Sequence, residues 1–179
     1  WLNAFNFMDG INGIMASYSL INLFTFFYIN FKYQFIEQEI LIFLLIPLTL
    51  FMIFNFRKAA ISFSGNSGTM AMAYILSLIM IKLIDHANDW KFIIFFSVYG
   101  LDTVFTIIER LILKENIFKP HRRHLYQLMV DKHYYNHLNV SIMFSLYQII
   151  INIVFINLYD DENSGFNILL FITLLVFSV

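Results

Sequence analysis

Residues 3–31 read NAFNFMDGINGIMASYSLINLFTFFYINF. Three Asn and one Asp are set among apolar residues over 3–13, and from Ile14 onward the chain turns into a run long enough to cross a bilayer. The second half of this stretch decides the fold. Hydrocarbon offers no partners to unpaired backbone groups, so an unbroken apolar run of this length is a helix even where its aromatic and β-branched content would suit a strand. The first half poses the chemical question: buried unpaired Asn and Asp groups cost roughly 1 to 3 kcal/mol each, so they either cap a helix or hold something.

The rest of the chain agrees with the apolar half. Of the 179 residues, 60% are hydrophobic, 19% aromatic and only 13% charged, with a mean hydropathy of +0.72, which is too little polar surface for a soluble domain of this size. The sequence therefore predicts an all-α, polytopic transmembrane helical bundle forming a single membrane domain over 1–179. Six spans are expected, at 14–31, 40–56, 69–84, 92–113, 138–158 and from 166 to 179, with Pro47 kinking the second. A net charge of −1 carries no nucleic-acid footprint, and the absence of Cys excludes disulfides and thiolate metal sites. The chain opens on Trp1 with no initiating Met and no secretory signal, which is expected of a piece of a longer protein.

Basic residues mark the cytoplasmic side of a membrane protein. Threading the spans alternately puts Arg57 and Lys58 in one loop and Arg110, Lys114, Lys119, Arg122, Arg123 and Lys132 in another, both on one face. The other face carries Lys32, Lys82, Lys91 and the acidic turn around Asp160 to Glu162. The opening Asn cluster falls on the basic face, so three polar stretches are expected to converge there: 3–13, 63–69 and 121–124.

Each stretch has two readings. On a helix, Asn3, Asn6 and Asp9 form one stripe at the membrane boundary, suited to a divalent cation or a phosphate-sugar; alternatively Asp9 or Asn12 caps the next helix and Gly10 and Gly13 make a turn. The FSGNSGT run at 63–69 either presents backbone N–H groups to an anion at a helix start or is an ordinary loop and cap. In KENIFKPHRRHLYQ, 114–127, His121, Arg122, Arg123 and His124 form a cationic group suited to a pyrophosphate, or a basic patch that only satisfies topology. Asp102, inside the fourth span, needs a cavity or a partner, for which Arg110 two turns later is the nearest candidate. His133 and His137 lack carboxylate company for a metal, and His86 has no role.

Taken together, NAFNFMDGING, GNSG, DTVFTIIER and HRRH, in this order and on one face, resemble the polyprenyl-phosphate N-acetylhexosamine-1-phosphate transferases. That membrane family includes the phospho-N-acetylmuramoyl-pentapeptide transferase of peptidoglycan synthesis. The HRRH form looks like the undecaprenyl-phosphate branch that starts O-antigen (lipopolysaccharide), teichoic acid or capsular glycans. The resemblance implies Mg²⁺-dependent transfer, with Mn²⁺ as an alternative ion, of a sugar-1-phosphate from a UDP-N-acetylhexosamine to undecaprenyl phosphate, releasing UMP. The setting it implies is the cytoplasmic face of the bacterial inner membrane, and it leaves a homodimer open.

By position, the resemblance puts Asp9 and Asn66 at the catalytic centre, with Asn6 and Asn66 at the metal. Asn3, Asn6, Gly10 and Asn12 would border the nucleotide, Phe63 would stack on the uracil, and His121, Arg122, Arg123 and His124 would hold the sugar-phosphate end. Asp102 is an additional candidate. The chain departs from the family pattern at Asn66, where the family has a metal-binding Asp; Asn offers one neutral oxygen and should weaken Mg²⁺. The family's preceding Asp-rich motif and spans are absent, which implies the C-terminal half of a longer transferase and, as the alternative, a non-catalytic relative that binds nucleotide sugar or lipid phosphate.

Overall fold

The structure, a computed structural model, describes residues 1–117 and 122–159. His121 and the expected sixth span at 166–179 lie outside the described residues, as do Lys119 and the acidic residues 160–162. The described chain is all helical. A short α1, Leu2–Phe7, leads into α2, Ile14–Tyr33, then α3, Gln38–Asn55, and α4, Gly65–Ala87. A 3-10 helix, Trp90–Phe96, runs directly into α5, Ser97–Ile112, and is followed by a short α6, Leu125–Asp131, and α7, His137–Leu158. Five of these stretches are long and apolar enough to cross a membrane, counting 90–112 as one, so the protein is a polytopic helical bundle.

The five expected spans that fall among the described residues hold to within a few residues at their ends. The fourth differs in kind: its first seven residues, WKFIIFF, wind as a 3-10 helix begun by Asp89, whose side chain accepts from the Lys91 N–H at 2.9 Å. Aromatic and β-branched residues have little α-propensity, and Phe92, Ile94, Phe95 and Phe96 are all buried here. Pro47 sits within a continuous α3 on an exposed face.

The bundle is built around α2. Two-thirds of its span is buried (67%), against 17% for α3, which packs at the periphery against α2. Apolar contact alone does not hold helices together in lipid, because the tails are as apolar as Leu; small and polar residues do more. Down the α2–α7 seam, Ser145 donates to Ser17 at 2.7 Å, Asn152 to Thr25 at 2.8 Å, and Gln148 to Asn152 at 2.7 Å. Gln148 also accepts from the Val98 N–H at 3.1 Å and donates to the Ile94 carbonyl at 3.3 Å, at the junction where the 3-10 helix becomes α5. Tyr18 and Tyr99 stack face to face with centroids 3.6 Å apart, and Tyr99 donates to the Ile14 carbonyl at 3.0 Å.

This pairing brings the N-termini of α2, α4 and α7 and the C-termini of α3 and α5 to one end of the bundle, the end that the basic loops were expected to share. Replacing Gln148 with Leu should strand the Val98 N–H and weaken the bundle by about 1 to 2 kcal/mol, a few hydrogen bonds at the modest value they have in membranes. Reversible unfolding in mixed micelles measures this; unchanged stability would mean the seam is incidental.

Candidate functional site

The opening cluster is a tight connection between α1 and α2. α1 stops at Phe7, so the expected stripe ends with Asn3 and Asn6, and Asp9 leaves the helix on its own course. Neither Asp9 nor Asn12 caps α2; that place is taken by Gly13 in the left-handed region, φ 86°, with no side-chain cap. Its N–H goes instead to the Asn55 side-chain oxygen at 2.8 Å, while the Asn55 amide donates to the Ser62 carbonyl at 2.8 Å. Asn12 donates to the carbonyls of Arg57 and Lys58 at 2.9 and 3.2 Å, and its own carbonyl accepts from Ser141 at 2.8 Å. Polar groups that looked like a cap therefore bind the 56–64 connection and α7.

The remaining group, Asp9, turns toward the other expected stretch. Its Oδ2 accepts from the Ser64 hydroxyl and, at 2.8 Å, from Thr69, which is 1% exposed. Asn6, Asp9, Gly10, Ile11, Asn12, Asn55, Phe63, Ser64, Gly65, Asn66 and Thr69 together line a cleft of about 220 Å³. Sequence positions 6–12 and 63–69 are thus joined into one oxygen-rich pocket, with Phe63 exposed at it. Burial raises the Asp9 pKa above the ordinary carboxylate value, against the pull of the Ser64 and Thr69 hydrogen bonds. A cation at this carboxylate competes with that proton, so its occupancy rises with pH through the raised value.

The third stretch reaches the same end by another route. Asp102, 2% exposed, takes His124 Nδ1 at 3.1 Å and the Leu125 N–H at 2.7 Å, so it seats the start of α6. Arg110, the sequence-expected partner, points elsewhere: it donates to the Asn116 and Ile117 carbonyls at 2.5 and 3.2 Å and lies 3.4 Å from Glu115. The short α6 then lays Tyr126 on the opening loop, where its hydroxyl donates to the Phe7 carbonyl at 2.7 Å. Tyr126 lies so close to Gly10 that a Cβ there would collide with its hydroxyl, and a Cβ at Gly13 would collide with the Phe56 ring. Both glycines serve packing between loops.

Not every expected residue comes to the cleft. Asn3 is exposed and lines no part of it, and none of Arg122, Arg123 and His124 does so. Arg122 is paired bidentately with Asp131 at 3.0 and 3.1 Å, and Arg123 spans Glu109 at 3.0 Å and Glu115 at 2.6 Å. His124 is 2% exposed and braces α6 internally. The sequence reading passed over Asn55, Ser64 and Thr69. The available signal was an Asn ending an apolar run on the same face as the opening cluster, and two hydroxyls flanking the glycines of GNSG.

The cleft suits a hard cation only in company. Its donors are one carboxylate, Asp9, with the neutral oxygens of Asn6 and Asn66, the Ser64 and Thr69 hydroxyls being engaged with Asp9, and no group of three or more His, Cys, Asp and Glu side chains gathers among the described residues. Mg²⁺ takes one or two carboxylates and completes its shell with water and phosphate oxygens, so these residues fit it together with a phosphate-bearing ligand.

A polytopic membrane protein with such a cleft at one end of its bundle is the class that fold and site define. Residues 1–84, the segment that builds the cleft, match the model of glycosyl transferase family 4, so over that segment the chain is similar to this family. It is also similar to a Bacillus subtilis (strain 168) protein described as "Probable undecaprenyl-phosphate N-acetylglucosaminyl 1-phosphate transferase". The two are 29% identical over 133 residues, 72% of this chain and 37% of that relative, so the match spans well under half of the relative's length. No solved structure matches the chain significantly.

The Gly10–Tyr126 contact is testable. Gly10→Ala should destabilise the protein in detergent by about 1 to 3 kcal/mol, and Tyr126→Phe, which removes the colliding hydroxyl, should make the second change cost less than the sum of the two. Strict additivity would mean that α6 does not press on the opening loop.

Proposed function

We propose that this chain forms part of a membrane sugar-1-phosphate transferase. It would move an N-acetylhexosamine-1-phosphate from a UDP-sugar to undecaprenyl phosphate, release UMP, and so start a cell-envelope polysaccharide at the cytoplasmic face of the bacterial inner membrane. The observation that carries this reading is the oxygen-lined cleft made by residues of 6–12 and 63–69, inside the segment that matches the family. The family and the Bacillus relative support a transferase acting on a polyprenyl phosphate; the choice of sugar, UMP release and Mg²⁺ are part of the proposal.

In this reading a phosphate oxygen of the lipid attacks the sugar-side phosphorus of the UDP-sugar, and the bond to UMP breaks. Asp9, Asn6 and Asn66 would hold Mg²⁺, which when bound neutralises charge on the pyrophosphate. Phe63, 72% exposed, offers a free ring face to the uracil. The Ser64 and Thr69 hydroxyls fix the Asp9 carboxylate, and Asn55 and Asn12 keep the two loops at a constant separation, so the substrate meets a preformed wall. Arg122 and Arg123 can reach an anion only by giving up carboxylate partners. The Arg122 side chain is 69% exposed, and exposed ion pairs are worth about 0 to 1 kcal/mol, so its exchange costs little; Arg123, half-buried between Glu109 and Glu115, gives up two carboxylates.

A second reading is favoured by the same donor set: with Asn66 where the family has a carboxylate, the cleft is suited to holding a nucleotide sugar without reacting it. Supplying radiolabelled UDP-N-acetylhexosamine, Mg²⁺ and undecaprenyl phosphate to the protein in membranes separates the two. The transferase reading predicts a labelled, organic-extractable lipid, lost by two orders of magnitude or more in Asp9→Asn, on the scale of removing one preorganised charge at an active site. It also predicts that Asn66→Asp lowers the Mg²⁺ concentration needed. A folded protein that makes no product, and makes none after Asn66→Asp, is a binder.

A further inference from the structure

Asp9 is held by one oxygen only. Oδ2 accepts from both Ser64 and Thr69, which also approach each other at 3.2 Å; the one Thr69 hydroxyl proton is shared between Oδ2 at 2.8 Å and the Gly65 carbonyl at 2.9 Å. No described group donates to Oδ1, although Asp9 lines the cleft. The two hydroxyls come from the start of α4, 55 and 60 residues from Asp9, so this arrangement is built by the fold and is no local turn. A carboxylate free to rotate would present either oxygen or neither; one whose Oδ2 is tied to two donors presents a single oxygen in a single direction.

We propose that Ser64 and Thr69 are positioning residues: their hydroxyls clamp Asp9 through Oδ2 and leave Oδ1 as the one anionic oxygen that the cleft offers its ligand. Ser64 lies at the N-cap of α4 and makes no capping bond to the helix, so its side chain is spent on Asp9. Thr69 is nearly fully buried and does not compete for the ligand itself. The clamp stands on its own geometry; its consequence for affinity rests on the nucleotide-sugar reading above.

The test uses the chain in detergent, with UDP and Mg²⁺ as probes. Thr69→Val keeps the shape and removes the donor, and it should raise the UDP Kd about tenfold or more, the effect of one hydrogen bond to a charged group. Thr69→Ser should restore binding to within about twofold, and Ser64→Ala should weaken it in the same direction as Thr69→Val. In the Asp9→Asn background, Thr69→Val should add little further loss. A Thr69→Val protein that binds as the parent does, or a Thr69→Ser protein that binds as poorly as Thr69→Val, overturns the proposal. Should the parent bind no UDP, the nucleotide-sugar reading falls. The clamp is then decided by the Thr69 hydroxyl, whose slow exchange splits its Cβ resonance in mixed H₂O and D₂O: a splitting lost in Asp9→Ala upholds the clamp, and its absence in the parent ends it.

Discussion

The carboxamide of Asn55 joins two loops that are 42 and 7 residues away from it, taking the Gly13 N–H on its oxygen and giving its N–H to the Ser62 carbonyl, each at 2.8 Å. Both acceptor and donor are used, which matters at a membrane boundary because a buried amide with half its bonds missing costs more than it contributes. Everything at this end of the bundle follows from the separation it sets. With Gly13 pinned, α2 starts where it does; with Ser62 pinned, the chain enters α4 with Ser64 and Thr69 facing Asp9. Asn12, bonded to the carbonyls of Arg57 and Lys58, repeats the same tie one residue earlier.

The membrane explains why such ties are made by side chains. In water the α2–α7 contact could rest on apolar burial; in lipid it rests on Ser17, Ser145, Thr25, Asn152 and Gln148, each bonded to another helix or to a neighbour in the seam. The same rule makes α3, with little buried surface and α2 as its main neighbour, the most lipid-exposed of the described spans. Asp102 obeys it too: a carboxylate near membrane depth is tolerated because His124 and the Leu125 N–H meet it, and in return it fixes α6.

Most of the fold was legible because its signal is a length and a composition. Uninterrupted apolar runs between polar breaks set the five described spans, and threading them alternately set which loops share an end. The 3-10 start of the fourth span was not legible, since hydropathy does not distinguish a tight helix from an α-helix. For the site, the meeting of 6–12 with 63–69 was foreseen, and the role of Asp102 was left open between its readings. The destinations of individual side chains were not foreseen. Whether Asn12 caps a helix or ties a loop, and whether Arg123 faces an anion or Glu109 and Glu115, depends on partners dozens of residues away that no local spacing encodes. Gly10 and Gly13 mark close approach in the sequence, but only the fold says that Tyr126 and Phe56 are what approaches.

The central claim is that the opening loop and the start of α4 form one wall-to-wall site. The chain contains no cysteine, so a single introduced pair reports contact without background. Asp9→Cys with Ser64→Cys, oxidised mildly in native membranes, should form an intramolecular disulfide, because their side chains already touch. Asp9→Cys with Asn157→Cys, at the far end of α7, should form none. Failure of the first pair to crosslink, or equal crosslinking of both, would contradict the account.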